Sequence, residues 1–189
     1  MANNKKIVSL PRAVALDLLN SIFVKKRTLD QAIFTCKTFG TLTPSDKGFA
    51  RLLTVTVIRR AGQIDNVIQC FLRTGMPSGA RDFKNILRLA CAEILFLGGK
   101  SHAAVDSAVT LVEAKKLPHY KGLANAVLRR LASEGKTKLK RFPVRLNYPS
   151  WLIDSWTNHY GLDKAEKIFE ACVQAVSYTH LTLPTMIGV

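Results

Sequence analysis

The residues of this chain best suited to chemistry are cations, and they come in clusters. Lys25-Lys26-Arg27, Arg59-Arg60, Lys115-Lys116 and Arg129-Arg130 stand together, and Arg12 lies near the start of the first apolar-periodic segment. Guanidinium and ammonium groups bind phosphate through charge-assisted hydrogen bonds, which an Arg fork makes two at a time. Such contacts set affinity and register on a nucleic acid and carry no base choice. Arg12 has a further reason to meet phosphate, because the free N–H groups of a first helical turn also favour anions. The whole chain adds to this, with 28 Lys+Arg against 13 Asp+Glu and a formal charge of +15. A field of that size draws in polyanions, nucleic acid first and an anionic membrane surface second.

Other chemistries find little support. Gly98-Gly99-Lys100-Ser101 ends like a phosphate loop, but Ile94 stands where the pattern needs Gly, and a helical segment precedes it. The run reads as a helix stop followed by Ser101 as a cap. His102, His119, His159 and His180 have no metal-ligand spacing and fit loop or cap positions. Cys36, Cys70, Cys91 and Cys172 form no C-x-x-C pair, so a zinc or redox site is unsupported and core thiols in a reducing compartment are expected. The carboxylates are scattered, and neither G-x-S-x-G nor G-x-G-x-x-G occurs.

The elements that must hold these cations are helical. Ser9 and Pro11 open a first helix whose apolar stripe is Val14, Leu18, Leu19, Ile22 and Phe23, with Lys25-Lys26-Arg27 at its end. Thr28 to Gln31 matches a capping box, and Thr43-Pro44-Ser45-Asp46 is a second strong start. The helix after Thr43 should stop near Gly62, and another carries Ile64, Val67, Ile68, Phe71 and Leu72. Residues 83–134 then read as helix, turn, helix, loop, helix. About seven helices and no convincing strand precede residue 135.

Hydrophobic residues make up 48% of the chain, enough for a globular core. No apolar run is long enough for a transmembrane helix, and the N-terminus lacks a secretory h-region, so a cytoplasmic protein is expected. At Gly135 the composition shifts to a basic arm with Lys136, Lys138, Lys140, Arg141 and Arg145. Trp151, Leu152, Trp156 and Tyr160 suggest a short amphipathic helix, and one more helix follows. Residues 171–189 contain no Lys, Arg, Asp or Glu, and the final stretch alternates like a strand with nothing to pair against.

Three segments match a known pattern. ILRLACAEILFL, SHAAVDSAV and LANAVLRRL, preceded by the Arg12 helix and DKGFARLLTVTVIRR, resemble the NusB-like RNA-binding domain. KGFARLL, IRRAGQIDNVI and GLANAVLRRLASEG are closer to one branch, the N-terminal domain of the ribosomal RNA small-subunit methyltransferase B (Sun, RsmB/NOP) family. Ala124 departs from that branch, which usually has Val there. RLNYPSWLIDSWTNHYGLDKAEKIFEAC is similar to the segment that opens the methyltransferase part of the same family. A stand-alone antitermination NusB would end near residue 140.

The resemblance implies an all-α bundle of NusB type over residues 1–140, a linker and the truncated start of a methyltransferase domain over 141–175, and a non-native tail at 176–189. The tail looks like translated sequencing-adapter read-through. The family's full-length enzymes transfer methyl from S-adenosylmethionine to C5 of a cytosine in small-subunit ribosomal RNA, with a cysteine nucleophile and a second cysteine that lie downstream. Residues 1–175 therefore should contain no catalytic residue, bind no cofactor or metal, and act as a monomer that docks ribosomal RNA. The expected RNA contacts are Arg12, Lys25, Lys26, Arg27, Arg59, Arg60, Lys115, Lys116, Arg129 and Arg130. The helices at 150–172 should be poorly anchored. The competing readings are a NusB-like antitermination factor and a membrane-surface protein. The second is disfavoured because the arm at 136–145 lacks a large apolar face.

Overall fold

Local chemistry sets the helix starts. Thr28 caps α2 (Leu29–Thr35) through a capping box in which its hydroxyl accepts from the Gln31 N–H and the Gln31 side chain accepts from the Thr28 N–H. Thr43 caps α4 (Pro44–Arg59), with Pro44 at the first helical position and Asp46 in the first turn. A cap of this kind stabilises a helix by about 1 kcal/mol. The computed structural model describes residues 9–174, which form ten α-helices, two 3-10 turns and, among the described residues, no strand. The remaining helices are α1 (Leu10–Phe23), α3 (Lys37–Gly40), α5 (Ala61–Gln69), α6 (Arg81–Phe96), α7 (Ser101–Ala114), α8 (Lys121–Leu139), α9 (Ser150–Tyr160) and α10 (Leu162–Val173).

Helix α6 is the axis of the bundle. It touches α1, α4, α5, α7 and α8, and its apolar residues from Phe83 to Ile94 are buried. A helix covered nearly all round belongs in a core, and burying one side chain such as Leu87 stabilises by about 2 kcal/mol. Its three buried polar residues, Asn85, Arg88 and Glu93, each require partners, because an unpaired buried polar group is costly. A smaller cluster of Val14, Leu18, Ala32, Leu42 and Ala50 fixes α2 and α3 across α1 and α4.

The helices expected before residue 135 are all present, joined by the short α3, which carries too few residues to show periodicity. Other expectations are corrected. Ser9 and Ser101 make no side-chain cap: Ser101 is already the first residue of α7, and the Ser9 hydroxyl accepts from Arg12 instead. Lys25, Lys26 and Arg27 follow α1 rather than occupying its last turn. Cys36 sits at the break between α2 and α3, half-buried, and Cys70 and Cys172 are exposed. Of the four thiols only Cys91 is buried; burial there pushes its pKa up.

Two glycines read as boundaries are packing sites. Gly62 lies inside α5, where a Cβ would fall 1.9 Å from the Leu146 carbonyl oxygen. Gly135 lies inside α8, where a Cβ would come within 3.0 Å of Leu95. The basic arm is therefore helical up to Leu139.

The segment after α8 is not poorly anchored. Gln63 clasps it: its N–H donates to Asn147 Oδ1 (2.9 Å), its Nε2 donates to the Phe142 carbonyl (2.8 Å), and Asn147 Nδ2 donates back to its Oε1 (3.0 Å). Beyond the clasp, Tyr148, Trp156 and Phe169 form an aromatic cluster, with Phe169 fully buried. The Tyr148 hydroxyl donates to the Phe169 carbonyl, and Arg145 pairs with Glu166. The alternating tail and its adapter reading lie outside the described residues.

Candidate nucleic-acid interface

The fold separates the ten sequence-predicted cations into those already engaged and those that face outward. Arg12 is engaged. Its guanidinium grips both carboxylate oxygens of Glu93 at 2.8 and 2.5 Å, donates to Ser9, and lies over the Phe49 ring. Its side chain is 20% exposed and that of Glu93 only 6%, so this arginine ties α1 to α6 and is not poised for phosphate. Arg60 donates to Gln63 and lies over Phe96 at 4.4 Å, and its burial lowers its pKa. Arg59 donates to the Gln174 carbonyl, Arg27 to Thr35, and Arg130 faces Glu134 and Phe71. Lys115 pairs with Asp17 at 2.8 Å. Lys25, Lys26, Lys116 and Arg129 are exposed and make no ion pair among the described residues.

Three of those four gather at one end of the bundle, where α1 and α7 finish and α6 begins. Lys25 lines a groove of about 310 Å³ with Asn20, Arg81, Asp82 and Leu117. Lys26 lines an adjoining one of about 330 Å³ with Phe23, Val24, Arg81, Lys84, Asn85 and Arg88. Lys116 directly precedes Leu117, and the Lys115–Asp17 pair binds the α7 exit to α1. Both Lys26 (φ 56°) and Lys116 (φ 57°) occupy the left-handed region. Each is the residue that turns the chain out of its helix, and the Leu117 N–H closes the turn on the Val112 carbonyl. This is the helix-stop geometry in which Gly is usual, so the turn itself aims an ammonium group off the helix end.

Sequence reading missed Arg81 and Lys84, which complete this end. Neither belongs to a cation pair. Their i, i+3 spacing at the start of a helix is the signal that could have found them, since it puts both on one face. Arg129 does not join them; it lines a separate groove of about 520 Å³ between α7 and α8 with Ser101, His102 and Asn125.

A polar network underlies the cationic end. Asn20 donates to Asp82 (2.7 Å), Asn85 donates to Asn20 (2.8 Å), and Arg88 donates to Asn85 (3.0 Å) and, through two nitrogens, to Asp65 (2.7 and 2.6 Å). Lys84 also pairs with Asp65 at 3.0 Å. Burial pushes the Asp65 carboxyl up, but hydrogen bonds and charge from Arg88 and Lys84 outweigh it and hold the pKa below the usual value. No group of three His, Cys, Asp or Glu that could hold a metal occurs among the described residues. No described helix is long and apolar enough to cross a membrane.

The profile of the NusB family matches residues 9–133, the span that contains α1 to most of α8. The chain belongs to the NusB family. NusB from T. maritima has the same fold, with a TM-score of 0.59 at 22% identity; the match covers 71% of this chain and 99% of that one.

Other relatives continue further. Ribosomal RNA small subunit methyltransferase B from Xanthomonas campestris is 30% identical over 161 residues, covering 84% of this chain and 35% of the relative. The protein of that name from Thermus thermophilus is 37% identical over 120 residues, covering 61% and 27%. This chain spans about a third of the length of these relatives. The Xanthomonas alignment holds more residues than the NusB span can supply, so it extends beyond that span.

Proposed function

We propose that this NusB domain is the RNA-docking part of a small-subunit ribosomal RNA methyltransferase, and that it docks through the cationic end formed by Lys25, Lys26, Arg81, Lys84, Lys115 and Lys116. The observation that carries the reading is the convergence of helix exits and a helix entrance that places Lys25, Lys26, Arg81 and Lys84 on two adjoining grooves, with Lys115 and Lys116 just before Leu117 at their edge. Arg12, Arg59 and Arg60 move from the contact set to the scaffold, and Arg129 to a separate groove.

The enzyme reading rests on relatives of which this chain covers about a third. In it, the parent protein methylates C5 of a cytosine with S-adenosylmethionine in the cytoplasm, and residues 9–174 act as a monomeric docking module without catalysis of their own. The described residues are all helical and offer no strand-to-helix glycine turn to cradle a methyl donor, so no step through that donor is assigned to them. The alternative, a NusB-like antitermination factor, is disfavoured by the clasped segment after α8. That segment lies beyond the NusB match, in the part of the chain into which the methyltransferase alignment extends.

The test is affinity for small-subunit ribosomal RNA fragments as a function of salt. Binding that neutralises several phosphates should weaken steeply, with a slope of roughly −0.7 to −0.9 per phosphate contacted. Arg81→Ala and Lys116→Gly should each make the slope shallower by about one contact. A slope that ignores salt, or that neither variant moves, defeats the assignment.

A further inference from the structure

We infer that the groove between the end of α1 and the start of α6 is a pocket for one unpaired nucleotide, so that the domain selects single-stranded over duplex RNA. The inference rests on the RNA-docking reading and goes beyond it, because phosphate contacts alone do not distinguish the two.

The pocket has a rim, a wall and a floor of different chemistry. Lys26, Arg81 and Lys84 form the rim, and none of the residues lining it is acidic. Among the described residues no carboxylate pairs with Lys26 or Arg81. Phe23 and Val24 supply an apolar wall, with Val24 40% exposed. The floor is polar and deep: Asn85 is 2% exposed and Arg88 8%.

Arg88 is held before any ligand arrives, by Asp65 and Asn85 on its donors and by the Phe23 ring at 4.5 Å from its guanidinium carbon. A ligand therefore orders no side chain at the floor, which lowers the entropic cost of binding. The volume of about 330 Å³ lies at the lower end of the roughly 300–1,000 Å³ typical of small-ligand sites, suited to a nucleotide and not to a helix groove.

A regular duplex presents a ridge of phosphates, which can meet only the rim. Its bases are stacked and paired and cannot reach Asn85 or Arg88. A splayed nucleotide can leave its phosphate at Lys26, Arg81 and Lys84 while its base lies along Phe23 and Val24, with ring edges toward the buried amide and guanidinium. Unpaired bases laid against apolar or aromatic walls are the usual basis of sequence-tolerant single-strand binding.

The test compares the affinity of the full chain for a short single-stranded ribosomal RNA fragment and for the duplex of the same sequence. Val24→Trp plugs the pocket without changing charge. The native chain should prefer the single strand, and Val24→Trp should reduce single-strand affinity by about fivefold or more, the scale of one lost base contact. Duplex affinity should fall less than single-strand affinity.

Lys26→Gly is the second variant. It removes the rim ammonium at a left-handed position that Gly accepts, so folding is preserved, and it should weaken both RNAs. Equal native affinity for single strand and duplex overturns the pocket assignment, as does a preference that Val24→Trp leaves intact; the docking reading survives either result. Failure to bind any RNA overturns both.

Discussion

At the scale of single residues, the same side-chain type takes opposite roles according to what it faces. Arg12 and Arg81 both lie in the first turn of a helix, yet Arg12 is clamped to buried Glu93 while Arg81 lines two grooves. Removing Arg12 leaves an uncompensated buried carboxylate, so Arg12→Ala should cost about 3 kcal/mol of stability, read as a lower urea midpoint at unchanged slope. An Arg12→Ala protein that binds RNA poorly thus reports loss of fold; unchanged stability would return Arg12 to the contact set. Asp65 gives a pH signature. Its folded pKa lies below the unfolded value, so its contribution is fully present above the unfolded value near pH 3.9 and is lost as pH falls through the folded one. The stability difference between the native chain and Asp65→Asn should be constant from neutral pH down to about pH 5 and shrink below about pH 4. A difference independent of pH would show that Asp65 is not depressed.

At the scale of elements, the clasp on α5 makes a sharp prediction. Gly62→Ala drives a methyl group into the Leu146 carbonyl, and overpacking of this kind costs about 1–3 kcal/mol. The segment after α8 should then detach first, so limited trypsin digestion should cut at Arg141 and Arg145 sooner, with the bundle from α1 to α8 intact. Equal cleavage rates would show that the clasp does not hold the segment. The contact itself is invisible to local sequence signals. Capping boxes and apolar stripes made the long helices legible because both are local signals, and Thr28, Thr43 and the stripe of α6 are where they predicted. Gly62 and Gly135 read as boundaries because a glycine that ends a helix and a glycine that admits a close neighbour look alike in one dimension. The clasp between Gln63 and Asn147 spans a separation that no periodicity reports.

At the scale of the whole molecule, the net charge of +15 predicted attraction to polyanions but not where the field is strongest. Adjacent cations stand out in the sequence, yet Arg59, Arg60 and Arg130 are engaged internally by Gln174, Gln63 and Glu134. The outward field gathers where three helix ends meet, and half of that set is Arg81, Lys84 and a lysine, Lys115, that also bridges to Asp17. In the proposed docking mode, long-range attraction from the full charge would bring RNA near, and phosphate contacts at one end would set how it lies. The family resemblance supplied the architecture and the order of segments; it did not supply which cations face out, since that depends on pairings set by tertiary contact.

The two lysines that end α1 and α7 carry a cost in every molecule, bound or not. A side chain in the left-handed region is disfavoured by roughly 1–2 kcal/mol, and glycine is not. Lys26→Gly and Lys116→Gly should therefore fold more stably than the native chain while presenting less charge. Selection for heat resistance alone would tend to discard both ammonium groups, trading grip for endurance at these two positions.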